Sequence, residues 1–173
     1  MAEKDLILKE KVEHSGLFDF PGLYSYSYTW FKDKSYGVNE DKYSEKISGN
    51  KRDLTVEWKA TKKLSDYFKI EISVKFEITE MTEVEVEIEG KTRKMNKGKV
   101  TVEFKGTLIK DYDGKWETSA FSKFLRDVYN KYVIPSRVFE INNKVESDVR
   151  ELKEELKAYL ELSARRRGRL SNA

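Results

Sequence analysis

Few residues of this chain have the type and spacing of a catalytic site. The only histidine, His14, stands beside Ser15, and that pair could serve acid–base chemistry. The spacing identifies no partner for either side chain, so a surface or structural histidine is the preferred interpretation. The chain has no cysteine, which excludes disulfides, thiolate metal sites and cysteine nucleophiles. We find neither a nucleophile elbow nor a glycine-rich phosphate loop.

Carboxylates are the other groups that could do chemistry. Glu83, Glu85, Glu87 and Glu89 alternate along a predicted strand and would share one of its faces. A calcium loop gathers its oxygen ligands in a turn, not along a straight strand. The basic residues between 91 and 99 offer cross-strand partners, each pair contributing about 0.2–1 kcal/mol. We therefore interpret the acidic row as register control, and predict no catalytic residue, cofactor or metal site.

The elements that would position any site begin with a sheet. Between Leu54 and Phe104 the apolar residues fall on even positions, and lysine, glutamate, serine or threonine stand between them. This alternation predicts strands with one buried and one charged face. We predict strands at 5–14, 42–48, 53–62, 67–80, 82–89, 91–95 and 99–110, with turns at Ser48–Lys51, Glu89-Gly90 and Asn96-Lys97-Gly98. The fold class is α+β, with an antiparallel sheet of six to seven strands.

Two helical segments could cover the buried face. Residues 17–34 fit both a strand and a helix, and we favour a helix that starts near Asp19 with Pro21 in its first turn. A further helix is predicted after Thr118 or Ser119. Tyrosine suits apolar pockets because it joins a ring to a hydroxyl. The aromatic residues are dense enough either to fill the core or to line a cavity between sheet and helices, and the pocket candidates are Tyr24, Tyr28, Phe31, Trp58, Phe124 and Tyr129.

The C-terminal helix, predicted over about 136–163, carries an apolar seam at heptad-like spacing, with Asn142 at one inward position. The seam could pack on the chain's own sheet or on a second chain. The arginine-rich tail, 164–173, is predicted to be disordered and could contact phosphates. The candidates for an interaction are Val145, Val149, Leu152, Leu156, Arg165, Arg166, Arg167 and Arg169.

The composition of the chain argues against several classes of protein. The 34 basic and 31 acidic residues leave a net charge of +3, which is too close to balance to indicate a polyanion partner. No basic strand with interleaved aromatic residues is present, so nucleic-acid binding is not expected. No segment approaches the roughly 20 apolar residues of a membrane span. The first residues lack the pattern of a secretory signal, and we expect a cytoplasmic protein.

The order of elements resembles the helix-grip fold of START-type lipid-transfer domains, polyketide cyclases and the birch pollen allergen family. The likeness rests on the strand 5–14, the aromatic helix 17–34, the strands 42–110 and the helix from 119. It covers about the first 134 residues, at the level of topology. It implies an apolar ligand cavity gripped by the last helix. The whole sequence is also similar to small archaeal proteins of uncharacterised function, a likeness that implies no activity.

Three parts are therefore expected: a sheet-and-helix domain at 1–134, a long helix at 135–163, and the tail. The first hypothesis is a non-enzymatic binding protein for an apolar small molecule between sheet and helices. The alternative is a protein-interaction or self-assembly module that acts through the C-terminal helix and the basic tail. Enzymatic activity is the least favoured of the hypotheses, because no constellation of residues supports it.

Overall fold

A computed structural model describes residues 2–114, 118–133 and 135–168. In chain order the elements are β1 (Glu3–Phe18), α1 (Phe20–Asp33), β2 (Gly37–Ser48), β3 (Lys51–Lys63), β4 (Phe68–Ile88) and β5 (Lys91–Lys110). They are followed by α2 (Ala120–Val128), a π-helical turn (Tyr129–Val133) and α3 (Pro135–Gly168). The five strands form one antiparallel sheet in the order β1-β5-β4-β3-β2. The first strand therefore pairs with the last.

The prediction of six to seven strands is wrong, because an expected break between two strands and an expected turn both lie inside long strands. At the first, β4 continues through an irregularity between Thr79 and Thr82, where Glu80 has a φ of 53°. At the second, Asn96-Lys97-Gly98 belongs to β5. Gly98 is required by close packing, since a Cβ there would lie 2.8 Å from the Thr79 carbonyl oxygen. The glycine thus accommodates a β-bulge instead of ending a strand.

The bulge also changes which residues are buried. Val84 pairs with Met95, whereas Ile78 pairs with Val100. Met95 and Val100 are an odd number of positions apart on β5, so their side chains lie on opposite faces. The apolar residues of β4 beyond the bulge are therefore out of phase with the main core. They form a second, smaller cluster, which contains Leu17, Val84, Val86, Ile88 and Met95.

The predicted first helix is confirmed. Helix α1 follows Asp19, whose carboxylate accepts a hydrogen bond from the Gly22 amide at 3.2 Å, and Pro21 lies in the first turn. Proline lacks a backbone N–H, and this costs little in the first turn because an N–H at that position has no partner within the helix. Lys34 caps the C-terminus, and Ser35 then takes a left-handed conformation with a φ of 65°. The helix thus ends before Gly37, which instead begins β2.

The main core lies between the sheet and helices α1 and α3. Helix α3 packs closely on Gly106 of β5, where a Cβ would lie 2.6 Å from Val145 Cγ1 and 3.2 Å from Val149 Cγ2. The helix belongs to the same core as the sheet. It ends at Gly168, beyond the predicted boundary at 163. The tail prediction beyond Gly168 lies outside the described residues.

Candidate functional site

The indole of Trp58 on β3 is the centre of the predicted pocket. It is 1% exposed. Rings of Tyr24, Tyr28 and Phe31 from α1 meet it at centroid distances of 4.7, 6.2 and 6.5 Å, and Phe76 of β4 meets it at 5.0 Å. All four contacts are edge-on, the geometry that aromatic rings prefer in a packed core. Four of the six pocket candidates therefore come together, and their own rings fill the space around Trp58.

The other two pocket candidates lie elsewhere. Tyr129 packs edge-on against Tyr67 at 5.7 Å, and Phe124 on α2 is 61% exposed. Neither has a ring contact with Trp58 among the described residues. The structure does not gather the predicted set into a single pocket.

A carboxylate that the sequence did not single out lies beside Trp58. Glu40 accepts a hydrogen bond from the Tyr24 hydroxyl at 2.5 Å and a longer one from Trp58 Nε1 at 3.5 Å. Burial and this carboxylate raise the pKa of Tyr24 to about 12. Strand β2 has a bulge between Glu40 and Lys42, next to these contacts. The hydroxyl of Tyr24 and the indole N–H of Trp58 thus both have Glu40 as their partner.

Two further tyrosines tie α3 to the rest of the core. The Tyr36 hydroxyl donates to Asp148 at 2.7 Å, and Lys144 approaches the same carboxylate oxygen at 3.4 Å. Burial and the Asp148 carboxylate raise the pKa of Tyr36 well above its ordinary value. Tyr26 donates to Glu155, which raises its pKa to about 12. These contacts tie α3, a helix rich in charge, to α1 and to the segment that joins α1 to β2.

The heptad-like seam of α3 faces the chain's own sheet. All four apolar interaction candidates are fully buried within the main core: Val145, Val149, Leu152 and Leu156. The side chain of Arg165 is exposed, and Arg166 and Arg167 continue the helix. Arg169 lies outside the described residues. The seam is used inside the chain and offers no surface to a partner.

His14 is a structural residue by its contacts. Its Nε2 lies 2.9 Å from the Leu17 carbonyl oxygen, and its ring meets that of Phe18 edge-on at 6.5 Å. The interpretation as a structural histidine agrees with these contacts. Within the described residues, no group of three or more His, Cys, Asp or Glu side chains is placed to hold a metal ion.

The most unusual surface of the described chain lies on α2 and the π-helical turn. Phe121, Phe124 and Tyr132 are each exposed by 61–69%, and Leu125 by 38%. We call these four side chains the aromatic face. Phe139, in the second turn of α3, is exposed to a similar extent. Scattered apolar residues are common on protein surfaces, but several large exposed rings on one helical stretch are less common.

Local contacts explain why the aromatic face is turned outward. The Arg126 guanidinium is nearly buried and lies 3.2 Å from a carboxylate oxygen of Glu3 and 3.7 Å from one of Asp111. Tyr129, three residues on, packs on the main core. Helical geometry places position 126 on the side away from positions 121 and 124. The ion pairs therefore anchor α2 by its polar side and leave its apolar side uncovered.

No described helix is long and apolar enough to cross a membrane. Comparison with known proteins found no match among protein-family models, curated proteins or solved structures.

Proposed function

We propose that this chain is a non-enzymatic self-assembly module whose aromatic face pairs with the aromatic face of a second copy. The exposure of Phe121, Phe124 and Tyr132 on one helical stretch is the observation that supports the proposal. Exposed rings cost free energy in water, and burying them is the main favourable term in most protein association. A protein-interaction or self-assembly module acting through the C-terminal helix and the basic tail was the alternative expected from the sequence. The residues proposed here lie instead on α2 and the π-helical turn.

The size of the surface suits a second copy. An aromatic side chain offers about 150–250 Å², so three rings exposed by about two-thirds, with Leu125, supply roughly 400 Å² of apolar surface. Phe139 adds roughly 100 Å². A standard interface buries about 800 Å² on each partner, with an apolar centre and a polar rim. The aromatic face would provide the centre of such an interface.

The charges beside the aromatic face also suit pairing with itself. Lys123, Asp127 and Lys131 are exposed on the same stretch of helix. A twofold interface brings the same surface of both chains together, so each copy must offer both signs of charge to avoid repulsion. Lysines and an aspartate within two turns meet this requirement. A strongly basic or strongly acidic rim would instead favour a partner of opposite charge.

An apolar ligand between sheet and helices, the other expectation, has less support. The edge-on rings around Trp58 occupy the place where that ligand would lie. Interior packing of this kind leaves few voids larger than a water molecule.

Sedimentation velocity with the full chain tests the proposal. We expect the wild type to be a dimer at about 100 µM, a hundredfold above a micromolar Kd. Phe121→Ser combined with Phe124→Ser should give a monomer, because the substitutions remove the two rings nearest the start of α2. Ile47→Ser is the matched control, since Ile47 is exposed by 65% on β2, far along the chain from the aromatic face.

Circular dichroism of each variant would show that the fold is retained. A wild type that stays monomeric at this concentration would refute self-assembly. So would a double variant that remains as dimeric as the Ile47→Ser control.

A further inference from the structure

The face of the sheet opposite α1 and α3, here called the outer face, has a charge distribution that only the strand register reveals. Directly opposite residues of neighbouring strands point to the same face and form rows that cross the sheet. Two neighbouring rows cross all five strands near the middle of the outer face. They differ sharply in how their charges are compensated.

The first row, which we call the alternating row, contains Lys11, Glu103, Lys75, Glu57 and Lys42, each opposite the next. Its signs alternate from one edge of the sheet to the other. Each lysine therefore has a glutamate across the strand, and each glutamate has a lysine on both sides. Opposite charges at these distances stabilise the sheet. The alternating row is explained by folding alone.

The second row, which we call the basic row, contains Lys9, Lys105, Ser73, Lys59 and Asn39 in the same order. It has no carboxylate in any strand. The ammonium group of Lys59 lies 3.3 Å from the carboxylate of Asp41, a residue outside the row. Lys9 and Lys105 lie directly opposite each other, and in the described part of the chain neither ammonium group forms an ion pair within 4.0 Å. Like charges in this position destabilise a sheet, so folding does not explain the basic row.

The two rows together carry more positive than negative charge. They contain six lysines against Glu103 and Glu57, and Asp41 lies beside Lys59. The rows on either side of them on the same face hold Glu13, Glu77 and Glu71, and Glu13 and Glu77 pair with Lys11 and Lys75. In this part of the outer face, the uncompensated lysines therefore lie in the basic row.

We propose that the outer face binds the phosphate backbone of a nucleic-acid duplex through the basic row, without reading its sequence. Three lysines and a serine hydroxyl, spread over four neighbouring strands about 4.8 Å apart, can follow a line of phosphates. A groove of about 300 Å³ runs over this place. Its charged lining consists of three lysines and three carboxylates: Lys59, Lys75, Lys105, Asp41, Glu57 and Glu103.

The residue types of the two rows favour one class of partner over others. They contain neither arginine nor aromatic side chains, so they supply point charges for phosphates but no forked donor for base edges and no platform for unstacked bases. This favours a duplex over a single strand. The rows also hold no large apolar side chain that could insert into a lipid surface, which favours nucleic acid over an anionic membrane.

Fluorescence anisotropy with a labelled duplex of random sequence tests the proposal. With about three phosphates neutralised, one by each lysine of the basic row, the logarithm of the binding constant should fall with the logarithm of salt concentration at a slope of about −2.7 between about 50 and 200 mM KCl. Lys9→Gln with Lys105→Gln should bring the slope closer to zero by about 2, because each removes one phosphate contact. Lys157→Gln, on the exposed side of α3, is the matched control and should leave the slope unchanged.

A second variant separates binding from folding. Lys105→Glu replaces a like-charge pair by an opposite-charge pair with Lys9, so it should raise the midpoint of thermal unfolding while it weakens duplex binding. Variants of the aromatic face should still bind DNA, which keeps this proposal separate from self-assembly. Equal slopes for the double variant and the Lys157→Gln control would overturn the proposal. Tighter binding to vesicles of phosphatidylserine and phosphatidylcholine than to the duplex would overturn it in favour of a membrane.

Discussion

Gly106→Ala is the sharpest test of how α3 lies on the sheet. The new methyl group would lie 2.6 Å from Val145 Cγ1, 2.8 Å from Leu8 Cδ2 and 3.2 Å from Val149 Cγ2. Overpacking a core costs about 1–3 kcal/mol. We expect a cost in the upper part of that range, about 3 kcal/mol. Side chains of β1 and of α3 both pack against position 106, so moving one element alone would not make room for the methyl group.

A double-mutant cycle makes the test specific. Val145→Ala alone should cost about 2 kcal/mol, since it removes two buried methyl groups and leaves a small cavity. When it is combined with Gly106→Ala, the new methyl group can enter the vacated space. The double variant should therefore be more stable than the sum of the single effects predicts, by about 1 kcal/mol or more.

Urea denaturation followed by circular dichroism measures these free energies of unfolding. Gly37→Ala is the matched control. Its Cβ would meet only the Thr61 carbonyl oxygen at 3.9 Å, an ordinary contact, so the cost should stay within about 0.5 kcal/mol. If Gly106→Ala were as mild as this control, or if the two effects in the cycle simply added, α3 would not pack on β5 as described.

Two further predictions concern ionisable groups. The Tyr24 pKa of about 12 lies above the ordinary value, so its contribution to stability is present below about pH 10 and is lost as the pH rises through 12. Phenolate absorbance and the midpoint of urea unfolding, both measured between pH 10 and pH 12, should show this loss of stability. Tyr24→Phe should make the loss smaller. Ionisation of every tyrosine near pH 10 would contradict the raised pKa of Tyr24. Arg126→Met should cost about 3–5 kcal/mol, as for other broken buried pairs, and hydrogen exchange should accelerate across α2. Arg150→Met, at an exposed ion pair, should cost less than about 1 kcal/mol; equal costs would show that Arg126 does not anchor the helix.

The alternation of apolar and polar residues predicted much of the sheet. It was wrong about the part of β4 beyond the bulge, and that error has a physical reason. The even-numbered residues from Leu54 to Ala60 in β3, from Phe68 to Ile78 in β4 and from Val100 to Leu108 in β5 are buried, as periodicity predicts. The apolar residues stay on even positions beyond the bulge as well, so periodicity could not detect that one extra residue had moved them out of phase. The signal lay in the partner strand, in the glycine at position 98.

The candidate site was less predictable, because periodicity shows which side of a helix is apolar but not what covers it. The α3 seam was identified correctly as apolar, and it covers the chain's own sheet. Phe124 was identified as apolar too, yet it lies on a helix that is held through its opposite side. What decides its exposure is Arg126, whose partners Glu3 and Asp111 lie far from it in the sequence.

The pairing of β1 with β5 has a consequence for synthesis. Glu3 lies opposite Lys110, so the first strand leaves the ribosome long before β5, its neighbour in the described sheet, has been synthesised. Until then it is an unpaired strand, and β2, β3 and β4 can form their hairpins without it. Pairing β1 with β5 closes a long loop and costs conformational entropy, so we expect this pairing to form last. A nascent chain halted before residue 91 would hold three paired strands and a free first strand, a species open to proteases and to pairing with other chains.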